Sequence, residues 1–483
     1  MKRFVILMLL CLLATAAPAR AATEVKMAGD FRAYGVFFEN HNWTSWNAKG
    51  TQTEDTFEIW QRWRLRTDFV ANEAVKFRLG IRVNDTPWGY GTYTAANPTV
   101  SVEVYQAYLA FKWPDCDVEI TAGLQPLTMP EAPIFYDSPI LASKGGFNDT
   151  ATNSFAGLVI KAPIVKGVFE PMVGFFRLVD VNRTYDTTTT QVDDELDAYF
   201  LTLPVVLDGF KITPWGLAAV MGKASSSAVT AIRNGMLSGG SFVAPNNADN
   251  QNGYWWGGLN LAVTVADPLK FYADGIYGQG AMSGPQRYNR QGWFIDGGLE
   301  YTGFDWATPQ LGAWWSSGED SSLRNGSERI PSMIGYFGLG SSFLYPTSQE
   351  FTKNDMGVNP LGSWGLGASL KNISFMEKLT MLATFTAAWG TNSPAGLRKA
   401  VLASSGNGNY LTMGKDLAIG EYIVAANANA KYWVYEKTLA FIVEGGWAHY
   451  GNPNGSIWNT ASRNFTGNVS DAWMTSFGVK YYF

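Results

Sequence analysis

Residues 61–69 read QRWRLRTDF. Arg62, Arg64 and Arg66 alternate with Trp63, Leu65 and Thr67, and Phe69 continues the second row. Period two puts the arginines on one face of a strand and an apolar row on the other. In a soluble sheet the apolar face is the buried one and the arginines are simply wet. In a membrane barrel the apolar row meets lipid and the charged row faces the bore. The remainder of the chain decides between these readings.

The same period recurs throughout. In AVKFRLGIRVN (74–84), Val75, Phe77, Leu79, Ile81 and Val83 oppose Lys76, Arg78, Gly80, Arg82 and Asn84. In DVEITAGLQ (117–125), Val118, Ile120, Ala122 and Leu124 form the apolar row. In YIVAANANAKYWV (422–434), Asn427, Asn429 and Lys431 lie opposite an apolar row ending in Tyr432 and Val434. Many of these stretches reach the roughly 9–11 residues that a tilted membrane strand needs, against about 5–6 for an ordinary strand. Their connections alternate. Short ones are 70–74, 113–116, 164–167, 266–268 and 435–438. Long ones fall near 40–56, 86–99, 126–152, 179–194, 223–252, 318–361, 392–418 and 451–471. A barrel crossing an outer membrane alternates in this way, with tight periplasmic turns and long extracellular loops. The fold class is therefore all-β, a transmembrane antiparallel β-barrel of 16–18 strands. Eighteen are favoured, and the regions 318–361 and 192–222 decide the count.

The N-terminus sets the compartment. Lys2 and Arg3 precede the apolar run FVILMLLCLL (4–13), and small residues lead to Ala19-Arg20-Ala21. That order predicts a cleaved signal peptide over 1–21, too short for a membrane helix, and one barrel over 22–483. Without Lys2, Arg3 and Arg20 the basic count falls from 36 to 33 against 41 acids, a net charge of about −8, which excludes nucleic acid as a partner. Cys116 is the one cysteine beyond residue 21, so no intrachain disulfide forms. His41 and His449 are the only histidines, and no metal cluster or other cofactor site is readable. GQGAMSG (278–284) has neither the spacing nor the following helix of a phosphate loop. No oriented nucleophile and base appear, so the chain does not read as an enzyme.

The short turn at 70–74 joins two strands whose polar rows fall on one wall: Arg62, Arg64, Arg66, Lys76, Arg78 and Arg82. Six neighbouring cations stay hydrated in a watery bore and call for acids opposite. The long loop after the fifth strand, 126–150, supplies candidates in Glu131 and Asp137. Its four prolines forbid a central strand. Its apolar Ile134, Phe135, Ile140 and Leu141 point to a loop at about 126–152 that folds inward and packs on the wall.

At this point the chain resembles the bacterial outer-membrane porins, in particular the homotrimeric ones. The C-terminus SFGVKYYF ends on Phe483, with Tyr481, Val479 and Phe477 on the same row. It is similar to the terminal signal read by the barrel-assembly machinery, which the resemblance makes a partner through Phe483. The long loop after strand five stands where porins carry their constriction loop, and the resemblance implies that Glu131 and Asp137 face Arg62–Arg82. The loop at 86–99 stands where such porins latch a neighbouring subunit. The family's short acidic-aromatic-glycine constriction motif has no clear counterpart here. The resemblance implies a passive diffusion channel for small hydrophilic solutes and ions, in contact with outer-membrane lipid and lipopolysaccharide. Two other readings stay open: a channel selective for anions or sugars, and a non-conducting adhesin or structural barrel.

Overall fold

The computed structural model describes residues 23–40, 43, 56–91, 93–129, 140–142, 154–180, 195–222, 235–236, 252–282, 289–333, 350–351, 358–404, 411, 413–458 and 469–483. Eighteen antiparallel strands close into one barrel. The first nine are β1 (Glu24–Glu39), β2 (Thr56–Asn72), β3 (Val75–Pro87), β4 (Glu103–Lys112), β5 (Glu119–Gln125), β6 (Phe155–Lys161), β7 (Met172–Val179), β8 (Leu196–Thr202) and β9 (Phe210–Met221). The second nine are β10 (Asn252–Val263), β11 (Leu269–Met282), β12 (Arg290–Tyr301), β13 (Thr308–Ser316), β14 (Ser363–Met376), β15 (Leu379–Gly390), β16 (Tyr422–Tyr435), β17 (Leu439–Gly451) and β18 (Ala472–Tyr482). β8 resumes briefly as Val205–Leu207 beyond Pro204, which has no N–H to give a ladder.

Each strand pairs with the next, and β18 returns to β1 from Asp30 opposite Tyr482 to Glu39 opposite Trp473. Gly29 and Phe483 complete the seam by exchanging backbone hydrogen bonds of 2.8 and 3.1 Å. Closure leaves no unpaired edge, the condition lipid imposes on a spanning sheet. Turns at one end are short: in the β2–β3 turn Asn72 Oδ1 accepts the Ala74 N–H at 2.8 Å. At the β8–β9 turn Gly209 has φ +68°, a region that favours glycine. The other end carries the long connections, including one between β11 and β12 that the sequence reading did not separate. The predicted signal peptide lies outside the described residues.

The outer face is apolar. Phe477 (54% exposed), of the terminal row, and Val443 (54%) on the neighbouring strand stand in this band. Aromatics bound it at both ends. Toward the long loops Trp255, Tyr277 and Trp293 form a chain with ring centroids 5.3 and 4.7 Å apart, and Trp364 stacks on Trp389 at 4.4 Å. Toward the short turns Tyr301, Phe304, Trp306 and Phe375 follow one another at 4.9, 5.8 and 5.4 Å. These are the two girdles of a membrane barrel. Trp433, near the short turn at 435–438, does not join the outer girdle: it shares the inner row of Lys431, whose ammonium lies 5.6 Å from its ring.

The inner face is partly filled. On β7–β13, Phe176, Leu196, Phe200, Trp215, Leu217, Tyr254, Trp256, Ile276, Phe294 and Trp314 are buried together with the connection residues Met129, Ile140, Met236, Ile330 and Met333. Connections from different hairpins meet there. The Met333 N–H donates to Ile140 O (3.0 Å), and the Ser332 N–H donates to Gly235 O (2.9 Å). At the long-loop end a helix α1 (Pro394–Ser404) packs Leu397, Ala400 and Val401 against a short helix α2 (Gly455–Trp458). Proline at the first helical position is preorganised for a helix start.

Candidate functional site

The charged side chains of β18 and β1–β4 lie in cross-strand rows on the inner wall. One row is Lys480, Arg32 and Arg62, in register across β18, β1 and β2. The next is Tyr482, Asp30, Arg64, Arg82 and Glu103. Nearer the short turns come Arg66 with Gly80, then Asp68, Arg78 and Tyr108. The first row is wholly basic, and the acids of the wall stand in the second and last rows and at Asp85. Arg64 Nε donates to Asp30 Oδ1 at 2.6 Å, and Arg62 Nη2 donates to Asp30 Oδ2 at 3.0 Å. Arg32 forms a two-pronged pair with Asp85. Arg78 holds Asp68 through two bonds, of 2.6 and 2.7 Å, and Arg82 donates to Glu103 at 3.0 Å. Two-pronged guanidinium–carboxylate pairs fix geometry as well as charge. Tyrosine rings lie beside the same cations: Tyr34 5.4 Å from Arg32, Tyr105 5.5 Å from Arg82 and Tyr108 5.9 Å from Arg78.

The structure thus gathers Arg62, Arg64, Arg66, Lys76, Arg78 and Arg82 on one wall, but not as a hydrated set of bare cations. Arg62 is 1% and Arg64 7% exposed, and their partners come from adjacent strands. Glu131 and Asp137, the expected counter-charges, lie outside the described residues. The described ones are Asp30, Asp68, Asp85 and Glu103. Asp68 was legible in the opening stretch, since it continues the row of Arg62, Arg64 and Arg66. Asp30 required the β1–β2 register, which the long connection between those strands does not reveal in sequence.

A second connection brings a further acid. In the segment between β13 and β14, Glu350 pairs with Lys431 on β16 and with Lys480 on β18, the latter at 3.1 Å. Its carbonyl accepts from Arg32 Nη1 (3.3 Å), and its N–H donates to Glu444 Oε1 (2.6 Å). Phe351 stacks on Tyr34 with centroids 4.5 Å apart. Burial by itself would raise the Glu350 carboxyl, but Lys480 and Lys431 outweigh it and hold the group at about 2. A loop carboxylate is thereby docked, ionised, into a cationic pocket of the wall.

The wall nine strands away carries a buried cluster of acids. Asp274 on β11 lies directly across from Asp296 on β12, and Glu300 stands two inward positions further along β12. All three are buried. Glu300 is approached by Lys270 (3.6 Å) and Lys371 (3.8 Å). In a closed barrel of eighteen strands β2 and β3 are diametrically opposed to β11 and β12. Cations therefore predominate on one side of the bore and the aspartate pair stands on the other.

Where the long connections converge, Glu319 accepts from Ser327 Oγ at 2.6 Å, and Arg329 pairs with Asp416 at 2.7 Å while donating to Leu361 O. Burial pushes the Glu319 carboxyl up to about 7 against the opposing pull of Ser327 and Arg329. Asn392 bridges the same region by donating to Gly362 O (2.9 Å) and Leu417 O (2.7 Å).

No protein-family model and no curated protein matches the chain in sequence. Solved structures do match it in fold. It is similar to OccAB1 of Acinetobacter baumannii at a TM-score of 0.52 and 10% identity, over 96% of this chain and 99% of that one. It is similar to OpdO of Pseudomonas aeruginosa at 0.51 and 11%, over 95% and 97%. OpdQ of Pseudomonas aeruginosa gives 0.50 and 10%, over 95% and 98%. The fold of this chain is the eighteen-stranded barrel of outer-membrane porin structures.

Proposed function

We propose that the chain is a bacterial outer-membrane channel that passes small hydrophilic solutes without an energy source and favours anionic ones at a basic narrowing. The observation that carries this reading is charge on the inside of a closed barrel whose outside is apolar. Ionic groups lining a membrane-spanning bore mark a solute path. The docked Glu350 supports the anionic preference. Its carboxylate occupies the space that a solute carboxylate would take between Lys431 and Lys480. The inward packing of connection residues such as Ile140 and Met333 favours a selective path over a wide unspecific one. We propose that the inward course extends through 126–152, with Glu131 and Asp137 on the solute side. A homotrimer is also proposed, with Trp88 (48% exposed) and Tyr90 (81%) in the connection after β3 as its contact residues. Export through the signal peptide, assembly through Phe483 and contact with lipopolysaccharide belong to the same reading.

Purified chain in a planar bilayer tests it. Discrete conductance steps are expected, with a concentration-dependent current block by a small dicarboxylate and none by an uncharged sugar. A folded barrel that never conducts returns the chain to a structural or adhesive role. Equal block by both solutes removes the anionic preference.

A further inference from the structure

The aspartates of the far wall are not accounted for by solute passage along the basic side. Asp274 and Asp296 are opposite partners in the β11–β12 ladder and both face inward. Asp274 is 4% and Asp296 5% exposed, and the ladder sets the two residues directly opposite each other. Two carboxylates this close and this buried cannot both stay ionised without a cation or a shared proton. Asn260, next in the row on β10, donates from Nδ2 to Asp274 Oδ1 at 3.0 Å. Asp296 Oδ1 is buried with no hydrogen-bond partner, as is Thr213 Oγ1 at the end of the same row. A buried orphan carboxylate oxygen is costly and needs explaining.

Glycines adjoin that row. The next inward row toward the short turns is Tyr272, Gly298, Gly312 and Gly367, so three successive strands bring no side chain there. Beyond it Glu300 is approached by Lys270 and Lys371 and hydrogen-bonded by Gln310, which occupies the nearest cations with another acid. A shared proton would join one oxygen of each aspartate and leave Asp296 Oδ1 as it is. A hard cation uses both carboxylates and an amide oxygen, with water completing its shell beside the glycine row. The donors are all oxygen, with no nitrogen or sulfur, which suits calcium rather than a transition metal.

We propose that Asp274 and Asp296, supported by Asn260, form a calcium-binding site on the lumen wall of β10–β12. The ion ties three strands together on the side of the barrel away from the basic wall. This goes beyond the channel reading and does not depend on it, because binding is measured without conduction.

The test uses the full chain in detergent after chelation with EGTA. Terbium, a calcium stand-in excited through nearby tryptophan, is titrated in and displaced with calcium chloride. Trp314, in register with Asp296 on β13, is a suitable donor. Saturable emission displaced by calcium is expected. Asp296→Asn should weaken it by about tenfold or more, because charge count sets calcium affinity. Asp68→Asn, on the opposite wall, should leave it unchanged. Heat-modifiable migration on gels confirms that each barrel is folded, and Asp274→Asn provides the second reading should Asp296→Asn fail to fold. Equal terbium binding by wild type and a folded aspartate variant overturns the site. Wild-type emission that calcium does not displace overturns it as well, and leaves the shared proton as the state of the pair.

Discussion

Arg64 stands directly across the β1–β2 ladder from Asp30 and donates to it at 2.6 Å, while Arg62 holds the other carboxylate oxygen of the same residue. One buried acid thus serves two buried guanidinium groups. Asp30→Asn should leave both without their shared counter-ion and cost about 3–5 kcal/mol, the range for breaking a buried pair from one side. The denaturant midpoint of the folded barrel in vesicles measures this. A loss below about 1 kcal/mol, the value of a solvated surface pair, would show the wall to be hydrated after all.

Glu350 is the only described contact of its connection with Lys431 and Lys480, and Phe351 follows it onto Tyr34. Glu350→Ala is expected to free this segment from the wall, raising single-channel conductance and anion preference together. A carboxyl held down at about 2, against an ordinary 4.5, stabilises the docked state fully above 4.5. That contribution is lost only as pH falls through about 2. Conductance should therefore hold steady from neutral pH down to about 4.5 if this contact sets it. Opening of the path between neutral pH and that point would assign the gate to a different group.

Ile81 faces outward in register with Leu65, while Gly80 faces inward beside Gln106. Ile81→Arg should cost about 2–4 kcal/mol at mid-bilayer depth. Gly80→Arg is not the mild control that a roomy lumen would make it. A Cβ there would lie 3.0 Å from Gln106 Cβ and 3.0 Å from Tyr105 Cε1. Both variants should reduce folded barrel, and Gly80→Ala should lose less than Gly80→Arg. A neutral Ile81→Arg, measured by folding yield in vesicles, would reverse the assigned faces.

The barrel was legible because its determinants are local. Period two marks the strands, and alternating loop length marks which end each connection occupies. The arginine wall followed from parity alone. The pairing of that wall was less accessible. Asp30 meets Arg64 through a hairpin register, and Glu350 reaches Lys480 across 130 residues of sequence. Asp274 and Asp296 become neighbours only once β11 and β12 are in register. Period gives the face of a residue, whereas register gives its partner.

Glu319 sets a pH dependence where the long connections meet. Its carboxyl is pushed up to about 7 from 4.5, so the folded state favours the protonated form. Stability at this point is greatest below 4.5, falls between 4.5 and about 7, and stays at the lower level above that. The full difference is about 3 kcal/mol on a scale of 1.36 kcal/mol per unit. Limited proteolysis of the connections should run faster at pH 8 than at pH 5 in the wild type. Glu319→Gln, always neutral, should lose that contrast. An undiminished contrast in the variant would place the titrating group elsewhere.

Selection by the basic wall is most directly read from the reversal potential of single channels in a salt gradient. At about 10 mM salt the screening length is about 30 Å, so wall charges act across the bore. Arg64→Gln combined with Arg66→Gln removes two positive charges and leaves Asp30 with Arg62 as its remaining described partner. The reversal potential should shift toward cations, and the shift should shrink as salt rises to about 1 M, where screening acts within about 3 Å. An unchanged reversal potential at low salt, in a barrel that still folds and conducts, would contradict the account by placing the arginines off the solute path.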